Sequence, residues 1–385
     1  MHTVRVHSFS FVGTLRTKLS DIVGIINKIA PPVLAEDWDN VGLQVGDPVS
    51  EIERIMVALD PCPEAVDAAI KNSCQLLLTH HPLIFKPLKR ISTTDETGRL
   101  IYQAIANRLA IVSLHTNYDV AQNGVNDLLA EALGVTLCRP LKVSHQEELL
   151  KLTVFVPPAH HDTLMNALLP FSWRSGKYAD CSFTASGQGT FRPLAGAAPF
   201  IGKVGERESV EESRFELLIR KAELQPALKS LRKAHPYEEP AFDITPLLNE
   251  GLQSGIGRIG LLESTPLLKD FAESVKKYLG TTALRIVGNP EQRISKLAFC
   301  GGSGASLLRD AAREGADLFL TGDIKYHEAR EAQALGIALI DAGHFATEIL
   351  MVDGLSLQLE KELGKRKYDV KVIRCRSESD PFKVL

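Results

Sequence analysis

Residues 75–85 read QLLLTHHPLIF, an apolar run that stops abruptly at two adjacent imidazoles, His80 and His81, followed by Pro82. A short apolar run bounded by breakers predicts a buried strand. Its neighbours decide the fold class. Upstream, PEAVDAAIKN (63–72) places a proline near its first turn and predicts a helix, as does RLIYQAIANR (99–108) downstream. Farther out, LSDIVGIINKIA (19–30) is amphipathic at helical spacing, NVGLQVG (40–46) and IERIMVALD (52–60) read as extended, LAIVSLHT (109–116) as a strand and VNDLLAEALG (125–134) as a helix closed by Gly. Strands alternating with helices imply an α/β fold, a mostly parallel sheet covered by helices.

The rhythm changes near residue 145. KLTVFVP, HDTLMNALL, CSFTASGQGTFRPL, FELLIRKAELQPALKSLRKAH and PAFDITPL read as strand, helix, strands, helix and strand, the order of a ferredoxin-like α+β unit. After Gly251 the first rhythm resumes through GRIGLLE, PLLKDFAESVKKYLG, ALRIVG, KLAFC and SLLRDAAREG, then DLFLTGD, YHEAREAQALG, IALIDAG, TEILMVDGLSLQLEKELG and DVKVIRC. The expected organisation is therefore one α/β domain in two pieces, 17–144 and 251–385, split by an inserted domain over 145–250. There is no solenoid repeat and no low-complexity segment.

With 385 residues, 44% hydrophobic and 24% charged, the composition is that of an ordinary globular protein. A net charge of -3 gives no global attraction for nucleic acid or an anionic membrane. The six cysteines lack CxxC pairing and read as reduced core thiols. No apolar run approaches the roughly 20 residues that span a bilayer, so the expected location is the cytoplasm. The opening segment, residues 1–18, is poor in acids in the manner of a transit peptide, and the reading adopted is a ragged extension.

Chemistry gathers where strands end, the place where sites form in open α/β sheets. His80 and His81 are adjacent, and neighbours on an extended chain point to opposite sides, so they suit two different ions; the plain alternative is a pair of surface histidines. LAIVSLHTNYDV brings His115, Asn117 and Asp119 just past a strand edge, where an Asx turn is the competing reading. In DAGHFATEIL, His344 and Glu348 stand four apart on one helix face, a spacing competent for metal and also common on solvated faces. Together the set His80, His81, Asp119, His344 and Glu348 mixes imidazole with carboxylate, which suits Zn, Fe, Mn or Co better than Ca or Mg. Five ligands for two divalent ions leave coordination positions open, as in catalytic sites. With one Asp and one Glu the centre would carry a charge of about +2, acidify a bridging water and attract anionic groups.

At these residues the chain resembles the NGG-interacting-factor-three-like family, catalogued also as type-two GTP cyclohydrolase homologues. The resemblance runs in order through AEDWDNVGLQVG, LLLTHHPLIF, LHTNYDVAQNGVN, CGGSGAS, LFLTGDIKYHE and DAGHFATE. It implies that His80 and His81 bind different ions, that Asp119 joins one and His344 the other, and that Glu348 bridges them. It also implies ring-like homo-hexamers and, in the long form, the central insert, whose closing HPYEEPAFDITPL resembles the end of small trimeric signalling and metal-tolerance proteins. There Tyr237, Glu238 and Glu239 are either a second ion or effector site or a solvated turn. His160 and His161, in a loop reading, receive no role.

Secondary candidates complete the list. Gly301, Gly302 and Gly304 form either a phosphate cradle or a tight turn, and Ser303 and Thr321 are candidate substrate contacts. His327 is the candidate general acid or base beside Asp323 and Glu328, or else a surface histidine. Asp39 and Asn40 line the pocket or cap the chain. The functional expectation is a dinuclear metal-dependent hydrolase that attacks a phosphate-containing or nucleotide substrate through a metal-bound hydroxide, with GTP chemistry resting on the family label only. The rivals are a metal-storage, delivery or regulatory protein without turnover, and a scaffold.

Overall fold

A computed structural model describes residues 16–174 and 176–383. Most of the acid-poor opening segment, residues 1–15, lies outside the described residues. The chain forms two compact units, one from residues 1–144 and 254–385 and one from 145–253.

The first unit contains two sheets. In the first, the strand Leu76–Thr79 lies between Arg54–Ala58 and Ala110–Ser113, all parallel, with Lys371–Arg374 parallel on one edge and Gly42–Val45 antiparallel on the other. Period-two alternation explains how both faces are buried. Ile55, Val57, Leu76 and Leu78 enter one core with helices Leu19–Ile29 and Leu350–Arg366, while Met56, Ala58 and Leu77 enter another with Pro63–Lys71 and Glu96–Ala106. Each fully buried Leu or Ile contributes roughly 2 kcal/mol relative to exposure, which is why the buried middles of Arg54–Ala58, Leu76–Thr79 and Ala110–Ser113 are wholly apolar.

In the second sheet, Lys296–Phe299, Leu318–Thr321 and Ala338–Asp341 are parallel, and Arg285–Val287 and Gln253–Leu262 flank them antiparallel. Leu297, Phe299, Leu318 and Leu320 pack on helix Leu268–Leu279, and Ala298 and Phe319 on the opposite core with Leu308–Arg313 and Tyr326–Leu335. The two flanking stretches thus make two mixed sheets, where one mostly parallel sheet was expected. Antiparallel pairing enters at Gly42–Val45 in the first sheet and at Arg285–Val287 and Gln253–Leu262 in the second, whereas the edge strand Lys371–Arg374, reached through the helix Leu350–Arg366, pairs parallel.

The second unit is a four-stranded antiparallel sheet in the order Ser182–Phe191, Glu208–Arg220, Leu149–Val156, Phe242–Pro246, with helices His161–Leu168 and Leu224–Ala234 packed on it. Chain order is strand, helix, strand, strand, helix, strand. FELLIR, expected as the start of a helix, is instead the end of the strand Glu208–Arg220. Phe215, Leu217 and Ile219 are buried while Glu216, Leu218 and Arg220 are partly exposed, a period of two; the helix begins only at Leu224. No helix among the described residues is long and apolar enough to cross a membrane.

Candidate metal centre

Two strands of the first sheet and one of the second present their carboxyl ends to one crevice. His80 and His81 follow Leu76–Thr79 directly, and their backbone amides donate to Leu59 O at 3.1 and 3.0 Å, which fixes the turn. Asp119 is carried by the short helix Thr116–Val120 after the strand Ala110–Ser113. His344 and Glu348 open and close the five-residue helix His344–Glu348 after Ala338–Asp341 in the other sheet. The four-residue spacing puts them on one face, with His344 Nε2 3.0 Å from Glu348 Oε2.

The five side chains form two overlapping sets of potential ligands. His80, Asp119 and Glu348 make one, all buried; His81, His344 and Glu348 make the other. His80 Nε2 stands 3.6 Å from Asp119 Oδ1 and 3.7 Å from Glu348 Oε1, too far for hydrogen bonds. His81 Nε2 is 3.2 Å from Glu348 Oε2 and 3.3 Å from His344 Nε2. Both ring nitrogens of His80 and Asp119 Oδ1 are buried without hydrogen-bond partners. Buried polar atoms are rarely left so, because the lost solvation costs about 1–3 kcal/mol each. Two donors that each approach a cation to about 2.1 Å at a tetrahedral angle stand about 3.4 Å apart, so this donor set fits a bound transition ion. Among the described residues, these groups and a third containing His80, His81 and His115 are the ones that gather metal-ligating atoms.

Electrostatics agree. Burial raises Asp119, as expected for a carboxyl removed from water. Burial also opposes ionisation of Glu348, yet the imidazoles of His80, His344 and His81 hold it well below the usual carboxylate range. Burial works against charge on His81, but Asp60 and Glu348 lift it to about 10; for His344 the Glu348 hydrogen bond outweighs burial and lifts it to about 9. The crevice is short of positive charge, and a proton and a metal ion compete there for the same lone pairs.

The sequence reading did not single out Asp60. Its Oδ1 lies 2.7 Å from His81 Nδ1, and Asp323 Oδ2 lies 2.7 Å from His344 Nδ1. Each imidazole therefore donates from Nδ1 and turns the Nε2 lone pair inward, the tautomer that metal ligation requires. The available signal was position: Asp60 ends IERIMVALD just beyond the strand Arg54–Ala58, as His80 follows its own strand. Gly302, with φ +62°, closes the crevice floor; a Cβ there would stand 2.1 Å from Glu348 Oε1.

The remaining candidates divide. Asp39 does not face the crevice as a free contact: its oxygens accept from His115 Nδ1 at 2.8 Å and from Thr116 N at 3.0 Å and Thr116 Oγ1 at 2.5 Å. It orients His115, whose ring centroid is 5.3 Å from that of His80 and 5.5 Å from that of His81. Asn40 Nδ2 donates to Ile84 O at 2.6 Å and is likewise engaged in the chain. Thr321 is fully buried and holds the glycine turn, accepting from Gly304 N and donating to Gly302 O. Gly301 N donates to Asn126 Oδ1 and Gly302 N to Thr347 Oγ1, so these amides are already used and the segment is a tight turn rather than a phosphate cradle. Ser303 is exposed. His327 is exposed beside Tyr326 and does not line the cavity of about 740 Å³ at the centre, which His81, His344, Asp60, Asp323, Arg285 and Asp380 help to line. Tyr237, Glu238 and Glu239 belong to the second unit.

Residues 17–381 match the model of the family described as Duf34/NIF3 (NGG1p interacting factor 3). The chain is 40% identical over 362 residues to a "GTP cyclohydrolase 1 type 2 homolog" of Halalkalibacterium halodurans, covering 94% of this chain and 97% of the relative. A protein of the same description from Bacillus subtilis is 38% identical over 365 residues, covering 94% and 98%. Among solved structures, a Bacillus cereus protein related to NIF3 superposes with a TM-score of 0.91 at 37% identity, covering 97% of this chain and 100% of that one.

Proposed function

Because the chain belongs to the Duf34/NIF3 family, we propose that it is a dinuclear metal-dependent hydrolase acting on a phosphate-containing or nucleotide substrate. The observation that carries the reading is the gathering of ligand atoms in two groups that share Glu348, the buried one with both His80 ring nitrogens and Asp119 Oδ1 left without partners. His80 and Asp119 would hold one divalent transition ion (Zn, Fe or Mn), His81 and His344 a second, and Glu348 both. Bound there, such ions supply Lewis acidity and acidify a water for attack on phosphorus or carbon.

What the chain itself does follows from its hydrogen bonds. Asp60 and Asp323 hold the Nδ1 protons of His81 and His344 and keep their inner nitrogens free. The acid–base role assigned from sequence to His327 moves to His115, because Asp39 holds its Nδ1 and its ring lies beside His80 and His81. Counting Asp60 and Asp323 with Asp119 and Glu348 cancels the positive excess of two divalent ions, and Arg285 is paired with Asp341, so an anionic substrate would be drawn by open coordination positions rather than by net field.

A second reading, metal delivery without turnover, draws on the 35% exposure of the His344 side chain at the rim. A screen of phosphoesters and nucleotides with metal-reconstituted protein separates the two. Turnover that disappears in Glu348→Gln supports the hydrolase; rapid surrender of ions to an acceptor protein, with no turnover, supports delivery. We also propose a homo-hexamer, as the family resemblance implies, and a cytoplasmic location, as the unpaired cysteines suggest; a monomer by sedimentation would reject the assembly.

A further inference from the structure

The inserted unit, residues 145–253, contains a cavity of about 710 Å³ lined entirely by its own residues. That volume suits a metabolite-sized ligand. Its walls are aromatic: the rings of Phe191 and Phe200 stand 6.1 and 6.2 Å from that of Tyr237. Glu212, on the strand Glu208–Arg220, reaches the same cavity and is only 9% exposed. Among the described residues it forms no ion pair. Gly189 makes room for it, since a Cβ at that position would fall 2.2 Å from Glu212 Oε2. The Tyr237 hydroxyl is buried beside Glu212, and burial followed by the charge and the hydrogen bond of Glu212 pushes it up to about 12, so it remains an O–H. Glu238 Oε2 accepts from Ala198 N at 3.0 Å, which ties the loop after Phe191 to the turn bearing Tyr237.

Two features define what the cavity would hold. The lining carries Glu212, Glu238 and Glu239 against Arg192 alone, three acids less one base, a balance of -2. A buried carboxylate without a cation is costly, and a cation brought by a ligand relieves that cost. The charge is not that of a chelated metal: the groups of metal-ligating atoms among the described residues all involve the crevice histidines, and none includes these glutamates. Aromatic faces around an acidic pole are the surroundings that hold organic ammonium ions through cation–π attraction. We propose that this cavity binds an organic amine with a flat apolar body, its ammonium on Glu212 and its ring among Phe191, Phe200 and Tyr237.

The test uses the full chain and two probes of the same shape and opposite charge, tryptamine and indole-3-propionate, titrated by calorimetry or protein-observed NMR up to about 10 mM, where a complex with a Kd of about 1 mM is nearly saturated. Tryptamine is expected to bind and indole-3-propionate not to. Glu212→Gln should weaken tryptamine at least about tenfold, and Phe191→Leu about fivefold. If Glu212→Gln fails to fold, the Phe191→Leu protein and the anion control still decide. Equal binding of the two probes, no binding of tryptamine, unchanged affinity in a folded Glu212→Gln, or unchanged affinity in Phe191→Leu would each overturn the assignment.

Discussion

Asp323 adopts φ +60° and places its carboxylate 2.7 Å from Nδ1 of His344, so a backbone conformation that few residues accept orients one of the five inward-facing ligands. Left-handed backbone costs a non-glycine residue about 1–2 kcal/mol, and Asp is among the residues that tolerate it best. Asp323→Asn and Asp60→Asn keep the shape but lose the charge that fixes the tautomer. Each should weaken metal affinity about 10–100-fold in a competitive chelator titration, with an unchanged circular dichroism spectrum. Wild-type affinity in both variants would mean that the Nδ1 contacts play no part in ligation.

Gly302 supports the same centre from below. Gly302→Ala places a methyl group 2.1 Å from Glu348 Oε1 at φ +62°, and both effects act in one direction. Backbone strain alone should cost about 1–2 kcal/mol. Displacement of Glu348 should remove metal from both groups that share it, so elemental analysis should find well under half the wild-type content. Full metal content together with a normal melting temperature would show that Glu348 does not depend on this floor.

The candidate ligand residues were legible because each follows a strand within its own short motif, so local pattern located them without knowledge of the fold. Asp60 was not, since its significance lies in a contact with His81 across 21 residues and between strands. The division into two sheets escaped for a related reason: Gly42–Val45 and Arg285–Val287 pair antiparallel with Ala110–Ser113 and Ala338–Asp341, and a short edge strand reads the same in either direction. FELLIR misled because paired leucines mimic helical spacing, while the alternating burial that makes it a strand comes from the helices packed on one face. His115 was noticed but not proposed as the acid or base, because the contact that singles it out is with Asp39, 76 residues away.

Metal should stabilise the chain without being required for folding, because the cores on both sheets contain none of the five ligands. Removal of ions by chelation is expected to lower the melting temperature, and restoring Zn, Fe or Mn to about 100 times Kd should return about 2.7 kcal/mol per site. His80→Ala and His344→Ala should each lose metal and most of that gain while remaining folded. A melting temperature indifferent to every ion tried, with no ion retained by wild type, would remove the basis for the dinuclear reading.

Acid should act on the other side of the crevice through Asp39. Burial would raise this carboxyl, but hydrogen bonds from His115 and Thr116, with the nearby charge of His115, bring it down to about 2 from an ordinary 3.8. Its side chain is shielded while the residue as a whole is half-buried, so solvent screening takes part of the effect. A folded-state pKa below the unfolded value means that the native chain binds the proton less readily. The stabilisation is therefore complete above about pH 4 and is lost as pH falls through about 2. The shift corresponds to about 2 kcal/mol. Urea unfolding of Asp39→Asn should show that deficit at neutral pH, and the gap to wild type should close between about pH 4 and pH 2. A gap constant across that interval would show that the amide loses packing alone, and that the Asp39 charge does not hold His115 in place.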